Sequence, residues 1–131
     1  MLPDFPERLR ILIVKDHADN AASLAILLRM DGHDLEIAPD GPAGLEKVAG
    51  RQPDVVLLDL GLPGMSGYEV AQRLAGQHYS RRPLLIAVTG YGREEDRRRS
   101  AEAGIDLHLV KPVAPNHLCA LLKRFHRVVG E

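Results

Sequence analysis

Four of the five aliphatic runs in this chain end in a residue that can carry charge or offer a hydroxyl. Lys15 and Asp16 follow ILIV, Asp59 follows VVLL, Thr89 follows LLIAV and Lys111 follows LHLV. A polar residue at one strand end is ordinarily a helix cap or a solvated turn. Four such ends at one edge of a sheet point to chemistry instead. Two carboxylates held close, Asp16 and Asp59, repel each other, and such a pair is neutralised by a hard cation or by a lysine. Magnesium suits oxygen ligands at a partly hydrated, exposed edge. A lysine and a hydroxyl on the neighbouring strand ends would then hold the oxygens of a phosphoryl group, whose transfer depends on positioning and charge neutralisation.

The elements that must position these residues follow from the periodicity. Short apolar runs at 11–14, 35–37 (a weaker one), 55–58, 84–88 and 107–110 alternate with longer segments of helical period, the pattern of an α/β domain. Continuous apolar character predicts strands buried on both faces, as in a parallel sheet covered by helices. Helix signals fall between the runs. The first helix is expected from near Asp19, with Ala21, Leu24, Ala25 and Leu28 on one stripe and a stop at Gly32. The second follows Asp40, carries Pro42 in its first turn and ends about Gly50. Ser66 and Glu69 have capping-box spacing and open a third helix running to about Gly76. A fourth is expected from about Arg93 to Ala103 with Gly104 as its stop, and a fifth after Pro115 with Leu118, Leu121, Leu122 and Phe125 as its core face. Right-handed crossovers make this a single doubly wound five-stranded parallel sheet of order 2-1-3-4-5, the flavodoxin-like (βα)5 architecture. In that order the ligand crevice lies beyond the carboxyl ends of the first and third strands.

Composition narrows the function classes. The chain has 131 residues, 45% hydrophobic and 27% charged, which is the size of one globular domain. Seventeen Lys and Arg against eighteen Asp and Glu leave a formal charge of -1, no field for collecting nucleic acid. No run approaches the roughly 18 apolar residues of a membrane span, and the opening MLPDFPERLR lacks a signal-peptide core, so a soluble, cytoplasmic domain is expected, with 1–9 as a flexible leader and 10–131 as the domain. Cys119 is the single cysteine and reads as a buried helix residue; the six histidines lack metal-cluster spacing. GYG at 90–92 has Glu95 where a dinucleotide fingerprint needs its third glycine, and the glycines at 61–67 lack the GK[ST] ending of a nucleotide P-loop and read instead as a flexible loop above Asp59. REEDRRR at 93–99 reads most simply as a solvated helix face, and alternatively as a docking face on a helix that buries little.

KD (Lys15, Asp16), LLDLGLPGMSG at 57–67, VTGYG at 88–92 and VKP at 110–112 together resemble the response-regulator receiver domain of two-component signalling, over about 10–128. Receivers are themselves an example of the strand order above, so the agreement on fold is one observation and not two. The resemblance implies that Asp59 is the phosphoacceptor, attacking the phosphoryl group of a phosphohistidine. It implies magnesium held by Asp16, Asp59 and the backbone carbonyl of Gly61, and no nicotinamide or other organic cofactor. Lys111 would pair with the acceptor and then with the phosphoryl oxygens, and Thr89 would move to bond the phosphorylated state. The peptide bond between Lys111 and Pro112 would be cis. Gly61 and Tyr91 stand two places beyond Asp59 and Thr89, where family members vary phosphoryl lifetime. The implied partners are a histidine kinase, including a hybrid one, or a phosphotransfer protein, and downstream a protein partner or fused output domain. No reaction is implied beyond self-assisted phosphoryl transfer and autodephosphorylation.

Two positions depart from the family pattern. Lys15 stands where receivers usually carry the first of two acids, and His108 stands where many carry a switching Tyr or Phe. His108 is either a half-buried strand histidine without a switch role or one that samples inward and outward positions. Lys15 favours an alternative function, a pseudo-receiver that docks a partner without phosphoryl control. A hydrolase or phosphatase using Asp59 lacks an evident second acid or base.

Overall fold

The structure is a computed structural model that describes residues 9–15, 22–60, 64–76, 83–89, 98–99, 101–110, 118 and 120–122, with 22–24, 89 and 110 described for the backbone alone. Five strands, β1 (Arg10–Val14), β2 (Asp34–Ala38), β3 (Val55–Asp59), β4 (Leu84–Thr89) and β5 (Leu107–Val110), form one parallel sheet in the order β2-β1-β3-β4-β5. Each coincides with an apolar run, because a strand covered on both faces cannot alternate with polar residues. All five residues of β3 are buried.

The two-residue period divides the interior into two cores. Leu12, Val14, Val56, Leu58, Leu85 and Ala87 face one side, where they meet Val48, Val70, Ala71 and Leu74 from the helices α2 (Gly41–Arg51) and α3 (Gly67–Ala75). Ile11, Ile13, Val55, Leu57 and Ile86 face the other, against Ala25 and Leu28 of α1 (Ala22–Met30) and against Leu118 and Leu122. Ala103 and Ile105 join the first core. Leu9, at the end of the expected leader, is 4% exposed and packs in the second.

The caps explain where the helices stop. After α1, the His33 N–H donates to Leu28 O and the Gly32 N–H to Arg29 O, the paired bonds of a Schellman turn. Gly32, with φ of 95°, sits where that turn needs a left-handed residue. Asp40 caps α2 by accepting from the Ala43 N–H at 2.8 Å, and Ser66 caps α3 by accepting from the Glu69 N–H at 3.2 Å. Both caps were expected. The end of α2 was not: Gly50 stays inside the helix, and Gln52 takes the left-handed cap with φ of 47°. Pro53, which cannot continue a helix, sets the stop, so the nearest glycine does not. Residues 98, 99, 101 and 102 are helical and end at Gly104, φ 89°, where the fourth helix was expected to stop. The described part of the fifth helix is 118 and 120–122.

Candidate functional site

Register brings the chemistry to one edge. Val14 pairs with Leu58, so Lys15 and Asp59 are the next positions on the two central strands, and the period places both on the face of Ile11, Ile13, Val55 and Leu57. Adjacent strands lie about 4.8 Å apart. Asp59 pairs with Val88, so Thr89 is one step further along β4, and Thr89 pairs with Val110, the residue before Lys111. The ladder of β1 with β2 continues past its end, with the Lys15 N–H donating to Ala38 O at 2.9 Å. His108 lies half-buried on β5, in register with Ala87. Asp16, Gly61, Tyr91, Lys111 and the Lys111 to Pro112 bond lie outside the described residues, as does the side chain of Thr89.

Asp59 is 8% exposed, and among the described residues it is the one buried carboxylate. Burying a carboxylate costs several kcal/mol, on the order of the stability of a small domain, unless charge or donors compensate it. Asp59 stands at the end of the central strand, at the carboxyl edge where a doubly wound sheet places its ligand crevice. Lys15, half-buried on the neighbouring strand end, brings positive charge to the same corner.

The start of α3 is pressed against the end of β3. A Cβ added to Gly67 would come within 2.7 Å of both Asp59 O and Leu60 Cα, so only glycine fits there. Leu60 joins three elements: its N–H donates to Val88 O at 3.3 Å, and its carbonyl accepts from the Gly67 N–H at 3.5 Å. Glycines in LLDLGLPGMSG were expected to give a loop above Asp59. The last of them has a different task, close helix-to-strand approach.

Sequence reasoning missed the opposite edge. Asp54 and Asp106 each precede a strand and look like turn residues. The Asp54 carboxylate accepts from the Arg10 N–H at 2.8 Å while its own N–H donates to Arg10 O at 2.8 Å. Asp106 repeats the device with Leu85, at 2.8 Å and 2.9 Å. A groove of about 590 Å³ opens at this edge between Arg10, Glu36, Lys47, Arg51 and Pro53. Glu36 is neutralised there by Arg51 at 3.0 Å and Lys47 at 3.7 Å. No signal in the sequence separates Asp54 or Asp106 from other pre-strand aspartates.

Among the described residues, no group of three or more His, Cys, Asp and Glu is placed to hold a metal, and no helix is long and apolar enough to cross a membrane. Asp59 alone of the expected ligands is described. Its carboxylate is a hard oxygen donor, the type magnesium takes.

Known proteins share this sequence pattern and architecture. The family profile for the response regulator receiver domain matches residues 11–123. The phosphate regulon transcriptional regulatory protein PhoB of Pseudomonas aeruginosa is 35% identical over 120 residues, which are 92% of this chain and 52% of that protein, so the chain spans about half the length of that relative. A CheY-like response regulator receiver domain protein from Methanospirillum hungatei superposes with a TM-score of 0.82 at 32% identity, covering 92% of this chain and 94% of that one. The receiver domain of a Pseudomonas aeruginosa sensor histidine kinase, which has a magnesium ion coordinated in its active site cleft, superposes with a TM-score of 0.81 at 28% identity, covering 91% and 98%. By sequence and strand order, this chain belongs to the response regulator receiver domains of two-component systems.

Proposed function

We propose that the chain is a phosphoacceptor switch in which Asp59 takes a phosphoryl group from a phosphohistidine of a histidine kinase or phosphotransfer protein. The observation that carries this reading is the buried carboxylate of Asp59 at the end of the central strand, beside Lys15 and against the glycine start of α3. A carboxylate oxygen attacks phosphorus, the bond from phosphorus to the histidine nitrogen breaks, and the leaving imidazole takes up a proton. Lys111 neutralises the phosphoryl oxygens, and Thr89 bonds one of them and draws the end of β4 toward the acceptor. Asp16, Asp59 and the Gly61 carbonyl would form the magnesium site; the ion would supply charge neutralisation on the phosphoryl oxygens. A change in the docking surface then reaches a protein partner or a fused output domain, and Tyr91, His108 and Lys15 tune the response.

The test is incubation with a small phosphodonor and magnesium followed by intact-mass measurement. A single acid-labile phosphoryl addition is expected. Thr89→Ala should keep the addition but lose most of the chemical-shift response that follows it, whereas Lys111→Ala should impair both. Equal shift responses in wild type and Thr89→Ala would remove the switch role.

Lys15 favours a second reading, the pseudo-receiver. An ammonium one strand away from Asp59 repels a divalent cation and can neutralise the acid without one. Under that reading the donor and magnesium give no mass addition, and partner docking is indifferent to Asp59→Asn.

A further inference from the structure

The charge run at 93–99 has one member whose contact is described and is not a solvent contact. The guanidinium carbon of Arg99 lies 4.2 Å from the centroid of the Tyr68 ring, in cation–π stacking distance. Tyr68 is the second residue of α3, immediately after Gly67, and packs against the core cluster that contains Leu60, Ala103 and Ile105. Gly67 in turn has no room to move independently of the acceptor strand, since its missing Cβ would meet Asp59 O and Leu60 Cα. Arg99 also belongs to the helical turn it anchors, its carbonyl accepting from the Ala103 N–H at 3.1 Å. A continuous line of close contacts therefore runs from Asp59 through Gly67 and Tyr68 to Arg99 and Ala103.

We propose that the stack of Arg99 on Tyr68 is a mechanical link that carries a change at the acceptor strand end into the fourth helical segment. The link rests on the reading of Asp59 as acceptor, and it adds a route through α3 that does not pass along β4. The chemistry suits the task. A guanidinium is charged at every physiological pH and lies flat on a ring, so the contact is insensitive to proton concentration and sensitive to geometry. An exposed pair of this kind shifts an equilibrium by about two- to fivefold, enough to bias a segment and too little to lock it. Spatial continuity does not by itself establish energetic coupling, so the decisive measurement is a double-variant cycle.

The experiment uses the full chain with magnesium and beryllofluoride, an acyl-phosphate mimic, and reads amide exchange at 57–58 and at 101–105. In wild type both regions respond. Tyr68→Leu and Arg99→Ala should each cut the response at 101–105 at least twofold while leaving that at Leu57 and Leu58 unchanged. The double variant should lose no more than either single one, Tyr68→Phe should behave as wild type, and Arg99→Lys should fall between. An undiminished response in Arg99→Ala, or additive losses in the double variant, overturns the link. If Leu57 and Leu58 fail to respond in wild type, the acceptor reading fails instead. The link is then judged without ligand, where both single variants should exchange at 101–103 about two- to fivefold faster; unchanged exchange overturns it.

Discussion

The two edges of the sheet hold similar residues and use them in opposite ways. At the amino edge, Asp54 and Asp106 accept from backbone N–H groups, Glu36 is ion-paired to Arg51 and Lys47, and His33 Nδ1 accepts from the Leu9 N–H at 3.1 Å. The aspartates and His33 tie neighbouring segments together at the start of the strands, and Glu36 ties β2 to α2. At the carboxyl edge, Asp59 is buried at the end of β3 with Lys15 alongside, and the nearest helix arrives through a glycine that adds no side chain. Residue type therefore does not distinguish a structural aspartate from a reactive one. Under the proposed reading, position along a parallel strand does, because ligands of a doubly wound sheet bind beyond its carboxyl ends.

Variants that break the comparison rank by expected size. Asp59→Asn should reduce phosphoryl addition to background with little change in urea midpoint; labelling equal to wild type would move the acceptor elsewhere. Gly67→Ala forces a methyl into backbone atoms and should cost about 1–3 kcal/mol in urea unfolding, while also slowing phosphoryl addition, since α3 and the acceptor strand must separate. Asp54→Ala and Asp106→Ala each remove a charged acceptor from a strand-end N–H and should cost about 1–3 kcal/mol. Their labelling rates should stay within about twofold of wild type, and a larger loss would show that the two edges are not independent.

Lys15→Asp sharpens the comparison from the other side. Two unit charges 4 Å apart interact by about 4 kcal/mol at an effective dielectric of 20, and a flexible, half-buried lysine realises only a fraction of that. The swap should tighten magnesium at least severalfold by titration. Equal affinity in wild type and Lys15→Asp would place the ammonium away from the ion site. Smallest of all, Ser66→Ala should cost about 1 kcal/mol through loss of the α3 cap, seen as a lower thermal midpoint with unchanged magnesium affinity.

The strands and their order could be read from residues alone, because burial on both faces leaves an uninterrupted apolar run, and VVLL at 55–58 admits little else. Asp40 and Ser66 were legible as caps because a cap is a local bond, three residues long. Features depending on partners far along the chain were hidden. Asp54 finds Arg10 forty-four positions away, and Arg99, read as part of a solvated face, finds Tyr68 on another helix. The end of α2 was misread for a local reason instead: Gln52 takes the left-handed turn expected near Gly50, since Pro53 decides the stop. The site lay between these cases: Asp59 and Lys15 are placed together by a register that the sequence implied but did not fix.

The reciprocal bonds between Asp54 and Arg10 have a consequence for how that register is chosen. Antiparallel neighbours inherit their phase from a tight hairpin, but β1 and β3 are joined through α1, β2 and α2, a connection long enough to tolerate a slip of one residue. Such a slip would turn Lys15 and Asp59 to opposite faces while preserving most apolar contacts, since these strands are hydrophobic on both sides. Hydrophobicity alone is thus a poor ruler for this pair. Asp54 supplies the zero mark: its carboxylate accepts from the Arg10 N–H, its own N–H donates to Arg10 O, and the count from there puts Leu58 beside Val14. Fidelity of the corner proposed to react is in this sense written about 17 Å away, at the opposite edge of the sheet.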